Sequence, residues 1–184
     1  MNDNNIFIFT GSSGTGKSTC LKFLKENFDI ECQELSARPF LPKGNSYDVS
    51  MTDDIQLNIM FNNTTTILKK LYEGGNVVYT RSPIDVLSYA RVLGKGLACE
   101  KQQIELIKYL NDKVTYLYIP IEFSMRETSD KLRGMNEKVR YQTDAAIYEL
   151  IDEMNIPHFT IHGSIEQREE ILSEIMNKYN IKKK

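Results

Sequence analysis

The chain has 184 residues, of which 41% are hydrophobic, and this size and composition fit one domain with a buried core. A formal net charge of −2 argues against a protein that is held to nucleic acid by its overall charge alone, and it leaves a local basic groove open. No apolar stretch approaches the roughly 20 residues of a membrane span, and residues 1–5 lack the charged and apolar regions of a signal peptide, so we expect a soluble cytoplasmic protein.

Short apolar runs alternate with helical patterns along the chain. In chain order the predicted elements are strand 6–10, helix 17–27, strand 30–35, helix 52–73, strand 76–80, helix 83–93, helix 100–111, strand 114–119, a charged helical region 122–154 with a break near Gly134, strand 158–161 and helix 164–179. This alternation predicts a three-layer α/β fold, with a five-stranded parallel sheet flanked by helices and a single domain over residues 1–184. Ligands of such sheets bind beyond the carboxyl ends of the strands, so the residues that follow each strand are the candidate functional positions.

Residues 11–18, which follow the first strand, read Gly-Ser-Ser-Gly-Thr-Gly-Lys-Ser and match the pattern G-x-x-x-x-G-K-[ST] in full. Its glycines allow the backbone N–H groups to approach phosphate oxygens, and the next helix adds its positive N-terminal dipole. Lys17 can reach the β- and γ-phosphates, and Ser18 can ligate Mg²⁺. The motif therefore predicts a site for ATP and Mg²⁺. The residues predicted to form it are Gly11, Ser12, Ser13, Gly14, Thr15, Gly16, Lys17, Ser18 and Thr19.

The stretch 36–50, after the second strand, contains two prolines and a mixture of cationic, aromatic and acidic residues. Loops of this kind carry specificity, so we predict that this one recognises the phosphate acceptor. The candidate substrate-binding residues are Arg38, Phe40, Tyr47 and Asp48. For Phe40 alone, packing into the core is the slightly favoured alternative.

Thr80-Arg81-Ser82-Pro83-Ile84-Asp85 follows the third strand and brings a guanidinium and a carboxylate close to the phosphate loop. Arg81 has the planar fork that suits phosphate, and it is predicted to bridge the donor and acceptor phosphates. The alternative is a structural ion pair with Asp85 or Glu34. These two carboxylates are also the candidates for the catalytic base or a magnesium shell, and the spacing does not choose between them.

Residues 122–140 form a run of interleaved charges after the fourth strand. Such a run is usually a solvated helix face, but phosphoryl-transfer enzymes place here a cover whose arginines neutralise the transferring group. We predict a lid over 122–140, with Arg133 as a catalytic residue and Arg126 and Arg140 as substrate-binding residues. For each of these three arginines, a functional role and a position on a solvated helix face are equally favoured.

The cysteines and histidines do not predict a metal or disulfide site. Cys20, Cys32 and Cys99 are widely spaced and odd in number, so they form neither a disulfide framework nor a C-x-x-C pair. His158 and His162 lie near a predicted late strand rather than on a helix, and they lack cysteine partners. We interpret the cysteines as buried small apolar thiols and both histidines as structural or solvent-facing residues.

These motifs resemble the P-loop kinases of nucleosides and nucleotides, with most similarity to nicotinamide riboside kinase domains and related small ATP-binding proteins of phages and bacteria. The resemblance covers nearly the whole length. It rests on residues 11–18, on the stretch 80–90, which is similar to D-R-S-x-x-D-x-x-x-Y, and on Asp-Lys-Leu-Arg at 130–133, which is similar to the D-G-x-R lid segment. Thr80 stands where the first of these two family patterns has an acidic residue. Lys131 stands where the lid pattern has a glycine. The resemblance implies functional roles for Arg81 and Arg133 and leaves the acceptor open.

The sequence thus predicts an ATP- and Mg²⁺-dependent kinase that phosphorylates a nucleoside, a nucleotide or a related small acceptor. One alternative is a kinase acting on a modified base or a terminus in DNA, which would show a steep salt dependence. Another is a regulatory ATPase that transfers phosphate only to water. A membrane partner is not expected, and no oligomeric state is predicted.

Overall fold

A computed structural model describes residues 4–42, 51–123 and 136–184 of the chain. Its five strands are β1 (Ile6–Thr10), β2 (Glu31–Gln33), β3 (Val77–Tyr79), β4 (Thr115–Tyr118) and β5 (His158–Thr160). They form one sheet in the order β2-β3-β1-β4-β5, and every neighbouring pair is parallel. The predicted five-stranded parallel sheet is therefore confirmed, although most strands are shorter than predicted.

The helices of the described residues agree closely with the sequence prediction. They are α1 (Lys17–Asn27), α2 (Asp53–Glu73), α3 (Pro83–Leu93), α4 (Glu100–Leu110), α5 (Glu137–Glu153) and α6 (Ile165–Lys178), with short 3₁₀ turns at Arg38–Phe40 and Leu97–Cys99. The hydroxyl of Thr52 accepts the Ile55 N–H and so caps the start of α2. No helix among these ranges is long and apolar enough to cross a membrane.

The predicted helical region 122–154 begins too early. Glu122 and Phe123 are not helical, and α5 begins only at Glu137. Both carboxylate oxygens of Glu122 accept the Gly163 N–H, at 3.0 and 2.8 Å, which holds this segment against the loop after β5. The charge pattern predicts a helix here because it contains no signal for this long-range contact.

The core lies on both faces of the sheet. All five residues of β1 are buried, and their side chains alternate between the faces. Ile6 and Ile8 pack with the side chains of α2, α3, α4 and α5, whereas Phe7 and Phe9 pack with those of α1 and α6. The predicted three-layer α/β arrangement is confirmed.

The strand order brings the functional loops to one edge of the sheet. Because β1 lies between β3 and β4, the loops after these strands start side by side. The Ile119 N–H donates to the carbonyl of Thr10 at 2.8 Å, and the Leu35 N–H donates to the hydroxyl of Thr80 at 3.1 Å. The segments that follow β1, β2, β3 and β4 therefore converge at the carboxyl edge, where ligands of open α/β sheets bind.

Candidate functional site

The loop at residues 11–16 joins β1 to α1 and depends on its glycines. Gly14 and Gly16 have φ angles of 72° and 102°, which favour glycine. A Cβ atom on Gly11 would lie 2.4 Å from the carbonyl oxygen of Ile119, so the loop passes too close to the β4 exit for any side chain. No side-chain hydrogen bond caps the start of α1 among the described residues, and the N-terminus of a helix is a favourable position for an anion.

Lys17, the first residue of α1, lies over this loop. Its ammonium donates to the carbonyl oxygens of Gly11 and Ser12, at 2.5 and 2.6 Å. Ser18 and Thr19 are exposed beside it. The ammonium, the hydroxyls and the N-terminus of α1 thus lie together, as a phosphate-binding site requires.

The loop stands between two cavities. The front cavity, of about 290 Å³, extends from the loop to the ends of β2 and β3. The back cavity, of about 190 Å³, extends from the loop toward the segments after β4 and β5. Both share Gly14, Thr15, Gly16 and Thr19; the front cavity adds Ser13, Lys17, Ser18, Glu34, Leu35, Ser36, Ala37, Arg38, Leu41, Thr80, Arg81, Tyr89, Asn136, Val139 and Arg140, and the back cavity adds Cys20, Phe23, Phe123, Gly163, Ile165, Arg168 and Glu169.

The front cavity brings together several residues that the sequence predicts for catalysis and acceptor binding. Glu34 and Arg38 line it and are exposed, and Arg81 is half-buried. The centre of the Arg81 guanidinium lies 5.9 Å from the ring centre of Tyr89. Their predicted roles stay predictions, but these residues do share one cavity with the phosphate loop.

Phe40 does not line the front cavity. Phe40 packs, partly buried, against the cluster that contains Ala37, Met51 and Ile59, so its predicted role in binding substrate gives way to the core alternative. The reason is that the 3₁₀ turn Arg38–Phe40 directs its ring toward α2. The predictions for Tyr47, Asp48, Arg126 and Arg133 fall on residues outside the described ranges.

Asp85 lies beneath the phosphate loop. Its side chain is 1% exposed, and its Oδ1 atom accepts from the Thr10 hydroxyl at 2.8 Å and from the Gly11 N–H at 2.7 Å. The Oδ2 atom accepts from the Ser82 N–H at 2.8 Å, and the Ser82 hydroxyl caps α3 in return. This geometry joins the end of β1 to the start of α3 and does not expose the carboxylate to a substrate. We therefore treat Asp85 as a positioning residue rather than as the predicted catalytic base.

Tyr89, which the residue-by-residue sequence argument does not single out, supports the same loop. Its hydroxyl accepts the Ser13 N–H at 3.1 Å, and its side chain is 4% exposed. Burial raises the pKa of this phenol, so it stays neutral. The available signal is its position one helical turn after Asp85, within the stretch that resembles the kinase pattern.

Two buried arginines also contact the loop. Arg140, predicted to bind substrate, donates from its three guanidinium nitrogens to the carbonyls of Ser13 and Phe123 and to Glu137. These bonds attach Arg140 to the loop, and Arg140 also lines the front cavity, so its predicted role in substrate binding stays a prediction. Arg168, at the start of α6, has no predicted role and contacts the loop from the back cavity.

Cys20 lines the back cavity and is 5% exposed. Burial raises the pKa of its thiol to about 11, although the nearby Arg168 guanidinium lowers it in part. At pH 8 we expect Cys20 to react with iodoacetamide at least about ten times more slowly than Cys99, because the thiolate is the reactive form. Peptide mass spectrometry measures both rates in the same sample. Equal rates in the folded protein would contradict this expectation, and equal rates in urea are the control.

The sheet order, the glycine loop and the converging strand ends define an α/β protein with the P-loop kinase fold. The family model for the AAA domain matches residues 6–168, so the chain belongs to the AAA domain family. No curated protein is significantly similar to it in sequence.

Solved structures show the same fold at low sequence identity. Thymidylate kinase from Candida albicans is 14% identical, with a TM-score of 0.65 and coverage of 98% of both chains. Deoxyadenosine kinase from M. mycoides, solved with bound dATP, is 16% identical, with a TM-score of 0.62 and coverage of 94% of this chain and 99% of that one. NadR protein, solved in complex with NR, is 14% identical with a TM-score of 0.72; the match covers 96% of this chain and 51% of NadR, so this chain spans about half of it. These structures therefore show that the chain shares the P-loop kinase fold that the sequence predicts.

Proposed function

We propose that the protein is a kinase that transfers the γ-phosphate of ATP to a nucleoside, a nucleotide or a related small acceptor. The observation that supports this proposal most directly is the position of the phosphate loop between two cavities. A nucleoside triphosphate whose phosphates lie on the loop has its base on one side and its terminal phosphate on the other. Two solved structures with this fold are named as kinases of thymidylate and of deoxyadenosine, which supports the proposal.

The back cavity has the chemistry that a nucleobase requires. Phe23, Phe123 and Ile165 provide apolar and aromatic surface, and the Arg168 guanidinium lies 5.3 Å from the ring centre of Phe123. Flat aromatic bases bind to such faces by stacking and apolar contact. We therefore place the base of ATP in the back cavity and its phosphates on the loop.

The front cavity has the chemistry that a phosphate acceptor requires. Arg38 and Arg81 supply guanidinium groups, which suit phosphate oxygens, and Glu34 supplies a carboxylate that can take a proton. Of the two predicted candidates for the base, Asp85 already accepts three hydrogen bonds beneath the loop. We therefore assign the role of general base to Glu34.

In the proposed reaction, the acceptor hydroxyl oxygen bonds to the γ-phosphorus while the bond from this phosphorus to the β–γ bridging oxygen breaks. Glu34 takes the hydroxyl proton, and ADP leaves with the bridging electron pair. Lys17 and Arg81 neutralise the charge on the phosphates, which is where most catalysis of phosphoryl transfer arises. Ser18 would offer a hard oxygen ligand of the kind that Mg²⁺ accepts beside phosphates, and a bound Mg²⁺ would supply further charge neutralisation.

The decisive experiment follows the label of γ-³²P-ATP, with and without Mg²⁺, against nucleosides, nucleoside monophosphates, nicotinamide riboside and modified DNA. We expect Mg²⁺-dependent transfer of label to one class of small acceptor. Transfer to DNA would favour the nucleic-acid alternative. Label recovered only as free phosphate over the whole panel would contradict the proposal and favour a regulatory ATPase.

Glu34→Gln tests the assignment of the base. We expect kcat with the identified acceptor to fall by about 10²- to 10⁴-fold, since the amide cannot take the proton, while ATP affinity stays unchanged. Steady-state kinetics and calorimetry measure the two quantities. Glu26→Gln, an exposed change on α1, is the matched control. An unchanged kcat in Glu34→Gln would remove Glu34 from the mechanism.

A further inference from the structure

Two buried guanidinium groups hold alternate carbonyls of the phosphate loop. The Nε atom of Arg140 donates to the carbonyl of Ser13 at 2.8 Å, and the Nη1 atom of Arg168 donates to the carbonyl of Thr15 at 2.5 Å. The two side chains are 2% and 6% exposed. Arg140 belongs to α5 and Arg168 to α6, which pack on opposite faces of the sheet, so the loop is held from both sides.

The hydrogen bonds from the two arginines determine the direction of the N–H groups that follow the bound carbonyls. In a trans peptide the C=O and the following N–H point in opposite directions. When Arg140 holds the carbonyl of Ser13, the N–H of Gly14 points away from that guanidinium. When Arg168 holds the carbonyl of Thr15, the same applies to the N–H of Gly16. Glycine peptides rotate with little steric restriction, so an external contact is needed to keep one orientation.

We propose that Arg140 and Arg168 are positioning residues that fix the peptide orientations of the phosphate loop, so that the N–H groups of Gly14 and Gly16 are preset to bind phosphate. This inference rests on the proposed triphosphate site. It assigns the affinity of the loop for phosphate to two residues that need not contact the nucleotide phosphates themselves. Preset donors avoid the reorganisation that a flexible loop would undergo on binding.

Further hydrogen bonds hold the Arg168 guanidinium in its position. Arg168 donates to the Gly163 carbonyl at 3.1 Å and pairs with Glu122 at 2.6 Å. Burial raises the pKa of Glu122, but the hydrogen bonds from Arg168 and from the Gly163 N–H outweigh it and lower the pKa overall. The Glu122 carboxylate therefore stays charged at neutral pH, and it loses this pairing only in acid, as the pH falls through its lowered pKa.

The end of the Arg168 side chain lies directly against the loop. A Cβ atom on Gly16 would lie 2.7 Å from the Nη1 atom of Arg168. In addition, a lysine at position 168 could place one ammonium near the Thr15 carbonyl but could not also reach Gly163 and Glu122 with a planar fork. Arg168→Lys therefore keeps the positive charge and removes the planar guanidinium that makes these hydrogen bonds together.

The test compares wild type with Arg168→Lys and Arg140→Lys, using inorganic tripolyphosphate and ATP as probes in calorimetry. We expect the Kd for both probes to rise by about 10- to 100-fold in each variant, as for loss of hydrogen bonds to charged groups. In Arg140→Lys the two probes should lose affinity by the same factor, since Arg140 does not line the back cavity in which the base is placed. Arg168 does line that cavity, so for Arg168→Lys tripolyphosphate is the probe that reports on the loop alone. Arg91→Lys, which alters a partly exposed ion pair on α3, is the matched control and should change neither Kd.

Amide NMR provides a readout that a merely stabilising role would not move. In wild type we expect tripolyphosphate to shift the Gly14 and Gly16 amide resonances, and in Arg168→Lys we expect the Gly16 shift to be reduced while the fold, monitored by thermal melting, is kept. If Arg168→Lys does not fold, Arg140→Lys gives the same comparison through Gly14. A wild type that binds tripolyphosphate, with variants that bind it equally well, overturns this inference alone. A wild type that binds neither probe overturns the proposed function, and this inference with it.

Discussion

Replacing Lys17 with alanine is expected to lower kcat for phosphoryl transfer by about 10³-fold while the protein stays folded. The ammonium lies over the phosphate loop, where its charge can neutralise the β- and γ-phosphates of a bound triphosphate. Its loss leaves the developing charge of the transferring group without this partner. Single-turnover transfer of labelled γ-phosphate measures the effect on the chemical step.

The structural cost of this substitution is expected to be small. Lys17 is only half-buried, and the loop keeps its other supports, the hydrogen bonds to Asp85 and Tyr89. Lys22→Ala, which removes an exposed ammonium of the same helix, controls for a change of charge on α1. If Lys17→Ala kept more than a tenth of the wild-type rate, the loop would not be the site of phosphoryl transfer.

The phosphate loop is predictable because its signal is local. Eight consecutive residues specify the turn, the ammonium and the helix start, and nothing distant is needed to recognise them. The sheet is predictable for a similar reason, since buried parallel strands read as short apolar runs between helical patterns. The strand residues Phe7 and Val78 are apolar and fully buried, as this pattern requires.

The supports of the loop are not predictable in this way, because they are contacts across the chain. The bond from Arg168 to Thr15 spans 153 residues, and the bond from Arg140 to Ser13 spans 127. From sequence both arginines read as ordinary charges on a helix face, which is why Arg168 receives no predicted role and Arg140 a different one. Only the packing of α5 and α6 on opposite faces brings both guanidinium groups to the loop.

The sequence also leaves open whether Glu34 or Asp85 is the catalytic base, because the deciding contacts again join distant parts of the chain. Both carboxylates follow strands that end at one edge, so spacing alone gives them equal standing. The structure separates them because Asp85 belongs to the first turn of α3 and turns inward to the end of β1, whereas Glu34 precedes the 3₁₀ turn and faces the cavity. The S-x-x-D spacing of Ser82 and Asp85 is the local signal that favours a capping role.

Removing the Asp85 carboxylate is expected to have the largest effect on stability. Asp85→Ala leaves the Thr10 hydroxyl and the N–H groups of Gly11 and Ser82 without their acceptor, in a place where Asp85 is 1% exposed. Buried donors that lose their partner are costly, so we expect the free energy of unfolding to fall by about 3 to 5 kcal/mol. Urea titration followed by circular dichroism measures this change.

The comparison with Asp85→Asn separates the role in the fold from chemistry. The amide keeps one acceptor oxygen, so we expect a smaller loss of stability than in the alanine variant. Some loss remains because its N–H₂ group points at a neighbouring donor. Asp112→Ala, at an exposed carboxylate after α4, is the control and should change stability by less than about 0.5 kcal/mol. Because Asp85 acts through the loop it holds, the folded fraction of Asp85→Asn should bind tripolyphosphate more weakly than wild type and still transfer phosphate. A stable Asp85→Asn protein that binds tripolyphosphate normally but transfers no phosphate would indicate that Asp85, and not Glu34, is the catalytic base.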